Sequence, residues 1–77
     1  MKVGDVIFSL QNAQGIGRHI KWQDCFGRVF HLTEKTVTFD YLTTIGENED
    51  SDWCDRDCVR LATPVEIAKL KAGGFLP

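Results

Sequence analysis

The chain has 77 residues, 43% of them hydrophobic and 26% charged, with a formal net charge of −2. A chain of this length buries one modest core, which argues against a deep catalytic cleft. The apolar run after Asp5 is far shorter than a secretory signal or a membrane span. Three cysteines, an odd number, predict free thiols in a reducing compartment. We therefore expect a soluble, cytoplasmic protein that does not contact a membrane.

The charges are distributed unevenly along the chain. Residues 1–35 are weakly basic, whereas residues 36–57 carry seven acids against Arg56 alone. Almost all of the negative field therefore comes from one segment, which predicts a surface with two faces of opposite sign.

The first predicted element is a strand over residues 5–10. Val6, Phe8 and Leu10 alternate with other side chains at the period of two that is typical of a half-buried strand. Periodicity then fails over residues 11–26, and the glycines there indicate a long loop. Loops of this length in compact domains are commonly functional or disordered.

A β-hairpin follows this loop. Residues 27–32 and 36–42 are predicted strands, joined by a turn at residues 33–35. In the second strand, large apolar residues alternate with polar ones from Val37 to Tyr41, the clearest alternation in the chain.

The segment after the hairpin is predicted to be a solvated loop over residues 43–51, because it combines glycine and acids without an apolar pattern. Trp53 and Cys54 are predicted at the core-facing end of a fourth strand. A turn at residues 55–57 then leads into a short fifth strand at residues 59–61. Aromatic residues dominate the cores of small β-domains, and the aromatics assigned to the core are Phe8, Phe39, Trp53 and a partly exposed Tyr41.

The C-terminal part is predicted to be a helix over residues 64–72. Thr63 is placed to cap it, Pro64 suits its first position, and Glu66 is the partner of a capping box. Gly73 and the glycine after it stop the helix. The last three residues, Phe-Leu-Pro, either fold back on the helix or form an apolar tail for a partner.

These elements predict a mostly β fold, a five-strand small antiparallel barrel with a short C-terminal α-helix. Segments across nearly the whole chain resemble SH3-like small barrels of the KOW and Tudor type: Lys2-Val3-Gly4-Asp5-Val6, Gly27-Arg28-Val29, Val37-Thr38-Phe39, Trp53 and Val59-Arg60-Leu61-Ala62-Thr63-Pro64. The ending resembles short bacteriophage and prophage proteins that close such a barrel with Arg-Leu-Ala-Thr-Pro and a helix.

The resemblance implies one domain over residues 1–77, with the barrel at residues 2–62 and the helix packed across one barrel opening through Ile67 and Leu70. It also implies an adaptor or binding module that acts on nucleic acid or on a host protein. Residues 11–26 are longer than a minimal barrel needs, and an acidic segment is unusual for a nucleic-acid binder. We therefore expect a non-enzymatic, phage-encoded module that binds a host protein and modulates its activity in the host cytoplasm.

Two loops are the predicted contact surfaces. The loop at residues 15–28 places cations beside an aromatic ring, a combination found at interface hot spots and in nucleic-acid-binding sites. Its candidate residues are Arg18, Lys21, Trp22 and Arg28. The acidic loop at residues 47–57 either docks on a basic surface or only keeps the chain solvated. Its candidate residues are Glu47, Glu49, Asp50 and Asp52.

An alternative function is nucleic-acid binding by the same basic loop together with Lys35. A structural zinc site is a further alternative, formed by Cys25, His31, Cys54 and Cys58, although these residues lack the paired spacing of zinc knuckles. No catalytic motif, cofactor fingerprint or small-molecule site is evident. We expect no enzymatic activity and no cofactor.

Overall fold

The computed structural model describes residues 1–13, 21–45 and 49–77. Its five strands are β1 (Val6–Ser9), β2 (Phe26–Leu32), β3 (Thr36–Ile45), β4 (Glu49–Asp55) and β5 (Val59–Leu61). Its two α-helices are α1 (Leu10–Ala13) and α2 (Pro64–Ala72). Short 3-10 helices lie at Trp22–Cys25 and Arg56–Cys58.

The five strands form one antiparallel sheet in the order β4-β3-β2-β1-β5. The fold is therefore mostly β, with one terminal helix, as predicted. In the described part of the chain β4 and β5 do not pair with each other, so the sheet is not closed. Closure into a barrel is the part of the fold prediction that is not confirmed.

Strand β1 carries apolar side chains on both of its faces. Ile7 is fully buried, whereas Val6 and Phe8 pack on the opposite side of the sheet. Leu10 lies in α1 and is 37% exposed, so its predicted place in the strand was wrong. A simple alternation fails here because both faces of β1 are covered.

The predicted solvated loop over residues 43–51 was also largely wrong. Strand β3 runs on to Ile45, and β4 begins at Glu49. Threonine and isoleucine are β-branched and fit a strand, which explains the longer β3. Most of the acidic segment is thus an edge strand, and residues 46–48 lie outside the described residues.

Two apolar clusters lie on opposite faces of the sheet. The inner face carries one core, formed by Ile7, Val29, Val37, Phe39 and Val59. The outer face carries the second cluster, formed by Cys25, Phe26, Leu70 and Leu76, with Ile67 packed against it. Helix α2 and the chain after it supply the last three of these residues, so α2 packs on the outer face of the sheet.

The predicted helix cap is confirmed. The Thr63 hydroxyl oxygen accepts from the Glu66 N–H at 3.2 Å, and the Glu66 carboxylate accepts from the Thr63 N–H at 2.8 Å. After the helix, the Phe75 N–H donates to the Leu70 carbonyl at 2.9 Å and Leu76 is buried, so the last residues fold back. Among the described residues, neither α1 nor α2 has the length and hydropathy needed to cross a membrane.

Candidate functional site

A β-bulge in β2 places two adjacent side chains on the outer face of the sheet. Val29 pairs with Phe39 and Leu32 pairs with Val37, and all four contribute to the inner core. Between these two pairs β2 has two residues, Phe30 and His31, where β3 has only Thr38. An extra residue of this kind keeps both flanking residues on one face and turns the two between them to the other. Phe30 and His31 are accordingly both exposed, Phe30 by 47%.

Trp53 lies on the same outer face. It pairs with Thr38, which pairs with His31, and residues directly opposite each other on neighbouring strands share a face. Neighbouring strands are about 4.8 Å apart, so the backbones of Trp53 and His31 are about 10 Å apart. We call the group of Phe30, His31, Thr38 and Trp53 the aromatic patch.

The prediction that Trp53 belongs to the core was wrong, because 66% of the residue is exposed. In β4, Ser51, Trp53 and Asp55 alternate with Asp52 and Cys54. Cys54 packs against the inner core, as predicted, and Trp53 therefore points to the other face.

A polar row separates the aromatic patch from the part of the outer face that α2 covers. Arg28 pairs with Asp40, and Asp40 pairs with Ser51, so the three side chains lie in line across β2, β3 and β4. All three residues are exposed. The patch is thus an aromatic area with a polar border, the usual anatomy of a protein contact surface.

A polar hollow of about 390 Å³ adjoins the patch, lined by Glu34, Lys35, Asp55, Arg56 and Asp57. It lies beside the patch because Asp55 pairs with Thr36, two residues along each strand from the Trp53 pair. The Arg56 guanidinium donates to the Thr33 carbonyl at 3.4 Å. Three carboxylates against two cations give the hollow a negative charge.

The predicted basic loop is only partly described. Arg18 lies outside the described residues, Lys21 is exposed, and Arg28 lies in the polar row. Trp22 is half-buried, with its ring centre 4.8 Å from that of Phe26 and 4.5 Å from the Lys69 ammonium. Trp22 therefore secures its segment to the outer cluster, and its role in a contact stays a prediction.

The predicted acidic contact residues divide between β4 and the segment before it. Glu47 lies outside the described residues, whereas Glu49, Asp50 and Asp52 are in β4. The Asp52 carboxylate accepts from the Tyr41 hydroxyl at 2.9 Å and from the Trp53 N–H at 2.7 Å. Their contact role also stays a prediction.

Three of the four zinc-ligand candidates are distributed over both faces of the sheet, and the fourth, Cys58, ends the 3-10 helix Arg56–Cys58. Cys25 is in the outer cluster, Cys54 packs on the inner core, and His31 is in the aromatic patch. All three cysteines are free, and in the described ranges no three His, Cys, Asp or Glu residues are placed to hold a metal ion.

The thiols of Cys25 and Cys54, which pack into the two apolar clusters, have low reactivity. Burial, with a smaller effect of Asp24, raises the pKa of Cys25. Burial, with smaller effects of Cys58 and nearby acids, raises the pKa of Cys54 to about 11. At neutral pH both groups are therefore protonated, and a protonated thiol is a poor nucleophile and metal ligand.

Known proteins do not add to this geometry. No protein-family model, curated protein or solved structure compared with the chain matches it. The resemblance to SH3-like barrels and to phage proteins therefore stays a prediction. The aromatic patch and the hollow beside it are the candidate site on physical grounds alone.

Proposed function

We propose that this chain is a non-enzymatic binding module whose aromatic patch contacts a protein partner. The observation that carries the proposal is the exposure of Trp53 and Phe30 on a sheet face whose other part is covered by a helix. Exposed apolar patches with polar borders mark interaction sites, and tryptophan is the residue most enriched among interface hot spots.

The charges near the patch favour protein over nucleic acid as the partner. Asp55 lies two residues from Trp53 on the same face, and the adjoining hollow is negative. Binding to phosphates depends on neutralising them with cations, which these acids oppose.

The biological setting that we propose follows from the resemblance to phage proteins. In that setting the chain is phage-encoded, acts in the host cytoplasm, and alters the activity of a host protein by binding it. We further propose that the sheet is an SH3-like barrel that is open between β4 and β5 in the described part of the chain, which the five short antiparallel strands and the terminal helix support.

Nucleic-acid binding is the alternative function. Lys21 and Arg28 are exposed, and bases stack readily on exposed aromatic side chains such as Trp53. In this alternative the basic loop and Lys35 supply the phosphate contacts, and affinity falls steeply as salt is added.

Affinity capture from a bacterial lysate, with and without nuclease, separates the two functions. We expect a stoichiometric protein that survives nuclease, is lost from Trp53→Ala, and is retained by Val65→Ala. Val65 is a matched control because it is 76% exposed but lies on α2, away from the patch. Equal capture by both variants would contradict the patch as the contact surface, and loss of all partners with nuclease would favour nucleic acid.

A further inference from the structure

Strand β4 lies at one edge of the sheet, and the role of that edge rests on the proposed protein partner. The Arg56 N–H donates to the Lys35 carbonyl at 2.9 Å, which fixes the direction of the backbone groups in the strand before it. These groups alternate in direction along an antiparallel strand, so the N–H and C=O groups of Ser51, Trp53 and Asp55 point away from β3. In the described part of the chain no strand pairs with that side of β4.

An exposed edge of this kind invites another strand, and proteins usually block it with lysine, proline or a bulge. Strand β4 has seven residues and no proline or lysine. It carries acids instead: Glu49, Asp50, Asp52 and Asp55. The pairing of β4 with β3 shifts register only between Asp40 and Ile45, so along residues 51–55 the edge is guarded by negative charge alone.

That charge selects among the possible partners. A second copy of β4 would place acids near acids, and like charges across a strand pair are destabilising. A strand that carries lysine or arginine would instead be attracted by the carboxylates of β4. The sequence of β4 thus disfavours self-association and favours a basic strand.

Trp53 and the hollow add places for the basic side chains. A residue paired directly with Trp53 from the free side has its Cβ about 5 Å from that of Trp53, so a lysine or arginine there lies against the indole ring. Two residues further along, the partner side chain is opposite Asp55 and reaches the hollow that Glu34 and Asp57 also line.

The Trp53 N–H must exchange its hydrogen-bond acceptor before a strand can pair with this edge. In the free protein this N–H donates to the Asp52 carboxylate at 2.7 Å. A carbonyl oxygen of an added strand would take over the N–H and free Oδ1 of Asp52 for a polar side chain on the inner face of that strand, while Oδ2 stays bonded to the Tyr41 hydroxyl.

We propose that β4 is a docking edge for an extended, lysine- or arginine-bearing segment of the protein partner. The segment adds to the sheet as a further strand, with alternate basic side chains against Trp53 and in the negative hollow. This recognition mode takes its affinity from main-chain hydrogen bonds and its selectivity from side-chain contacts.

A synthetic peptide that alternates lysine with valine and threonine tests the proposal. One control replaces every lysine with glutamate, and the other keeps the side chains but methylates the backbone nitrogens that would face β4. We expect the lysine peptide to bind at least about tenfold more tightly than either control, and to slow hydrogen exchange of the Trp53 amide. Equal binding of the methylated peptide, or slowed exchange only outside β4, would overturn strand addition.

Charge variants of the protein sharpen the test. We expect Asp55→Asn to weaken lysine-peptide binding several-fold and Asp5→Asn, a matched change just before β1 and three strands away from β4, to leave it within about twofold. Equal effects of the two changes would refute a charge-selective edge. Sedimentation equilibrium tests whether a second copy of the chain occupies the edge instead. A dimer of the free chain in which the Trp53 amide is protected from exchange would overturn the basic segment as the occupant.

The outcomes keep this inference separate from the proposed function. If Trp53→Ala loses the captured protein while the lysine peptide fails to pair with β4, the patch is the contact surface and the docking edge is refuted. If the peptide pairs with β4 while Trp53→Ala captures normally, the edge stands and the patch is refuted.

Discussion

The outer face of the sheet has two regions that both carry aromatic side chains. One region is covered by α2, and the other is open to solvent. In the covered region, Phe26 packs against Phe8 with ring centres 5.1 Å apart, and α2 adds the fully buried Leu70. In the open region, Trp53 and Phe30 remain 66% and 47% exposed. Aromatic residues in β-strands therefore do not by themselves identify a core, because the element that packs over them decides their role.

The difference between the regions arises from where the chain returns to the sheet. Strand β5 pairs with β1, and α2 follows it after two residues, so the helix covers the part of the outer face that holds Phe8, Phe26 and Leu42. The Arg60 guanidinium holds the start of α2 through two hydrogen bonds to the Glu66 carboxylate, at 2.8 and 2.9 Å. The part of that face beyond the polar row, which holds Phe30 and Trp53, is left open.

The largest effect is expected in the covered region. Phe26→Ala removes a fully buried ring, and we expect it to lower the free energy of unfolding by about 3–5 kcal/mol. Urea denaturation followed by circular dichroism measures this change. A loss below about 1 kcal/mol would contradict a packed cluster under α2.

Gly27→Ala tests the close approach of β2 and β3 near the border between the regions. A Cβ at residue 27 would collide with the Phe39 ring and lie 2.8 Å from the Asp40 carbonyl oxygen. We expect a loss of about 1–3 kcal/mol because the strands must move apart. Ser51→Ala, at an exposed site, serves as the control in the same denaturation series, and an equal effect of the two changes would contradict the close approach.

The Arg60–Glu66 contact gives a pH-dependent prediction. Its hydrogen bonds lower the pKa of Glu66 from 4.5 to about 2, so its contribution to stability is complete above about pH 4.5 and is lost as pH falls towards 2. Because the Arg60 side chain is 41% exposed, solvent screens the pair, and we expect Glu66→Gln to cost about 1 kcal/mol at pH 7. The gap between wild type and Glu66→Gln, measured by thermal unfolding, closes near pH 2. A gap that persists there would show that the cost is unrelated to the carboxylate charge.

The smallest effect on stability is expected in the open region. Trp53→Ala should change the free energy of unfolding by no more than about 0.5 kcal/mol, because the ring is mostly in solvent. The same urea series measures it. A loss comparable to that of Phe26→Ala would mean that Trp53 supports the fold and is not kept for contact.

Local signals predicted much of this fold. The threonine cap, the following proline and the glutamate of the capping box place the start of α2 at Pro64, because all their interactions lie within a few residues. The alternation from Val37 to Tyr41 likewise predicted the core-facing side of β3.

The errors concern relations between distant segments. Trp53 was assigned to the core, although Ser51 and Asp55 share its alternation and already indicated a solvent-facing side. The exposure of Phe30 depends on the bulge in β2, which is defined only by pairing with β3. Sheet closure also depends on strands that are distant in sequence, so residue patterns do not determine it.

The most direct test of the account is hydroxyl-radical footprinting of the chain, free and in complex with its captured partner. We predict that binding reduces oxidation of Trp53 and Phe30 several-fold and leaves Phe75, which packs beside α2, unchanged. If Trp53 is oxidised equally in both states while the segment around Lys21 is protected, the open region is not the contact surface.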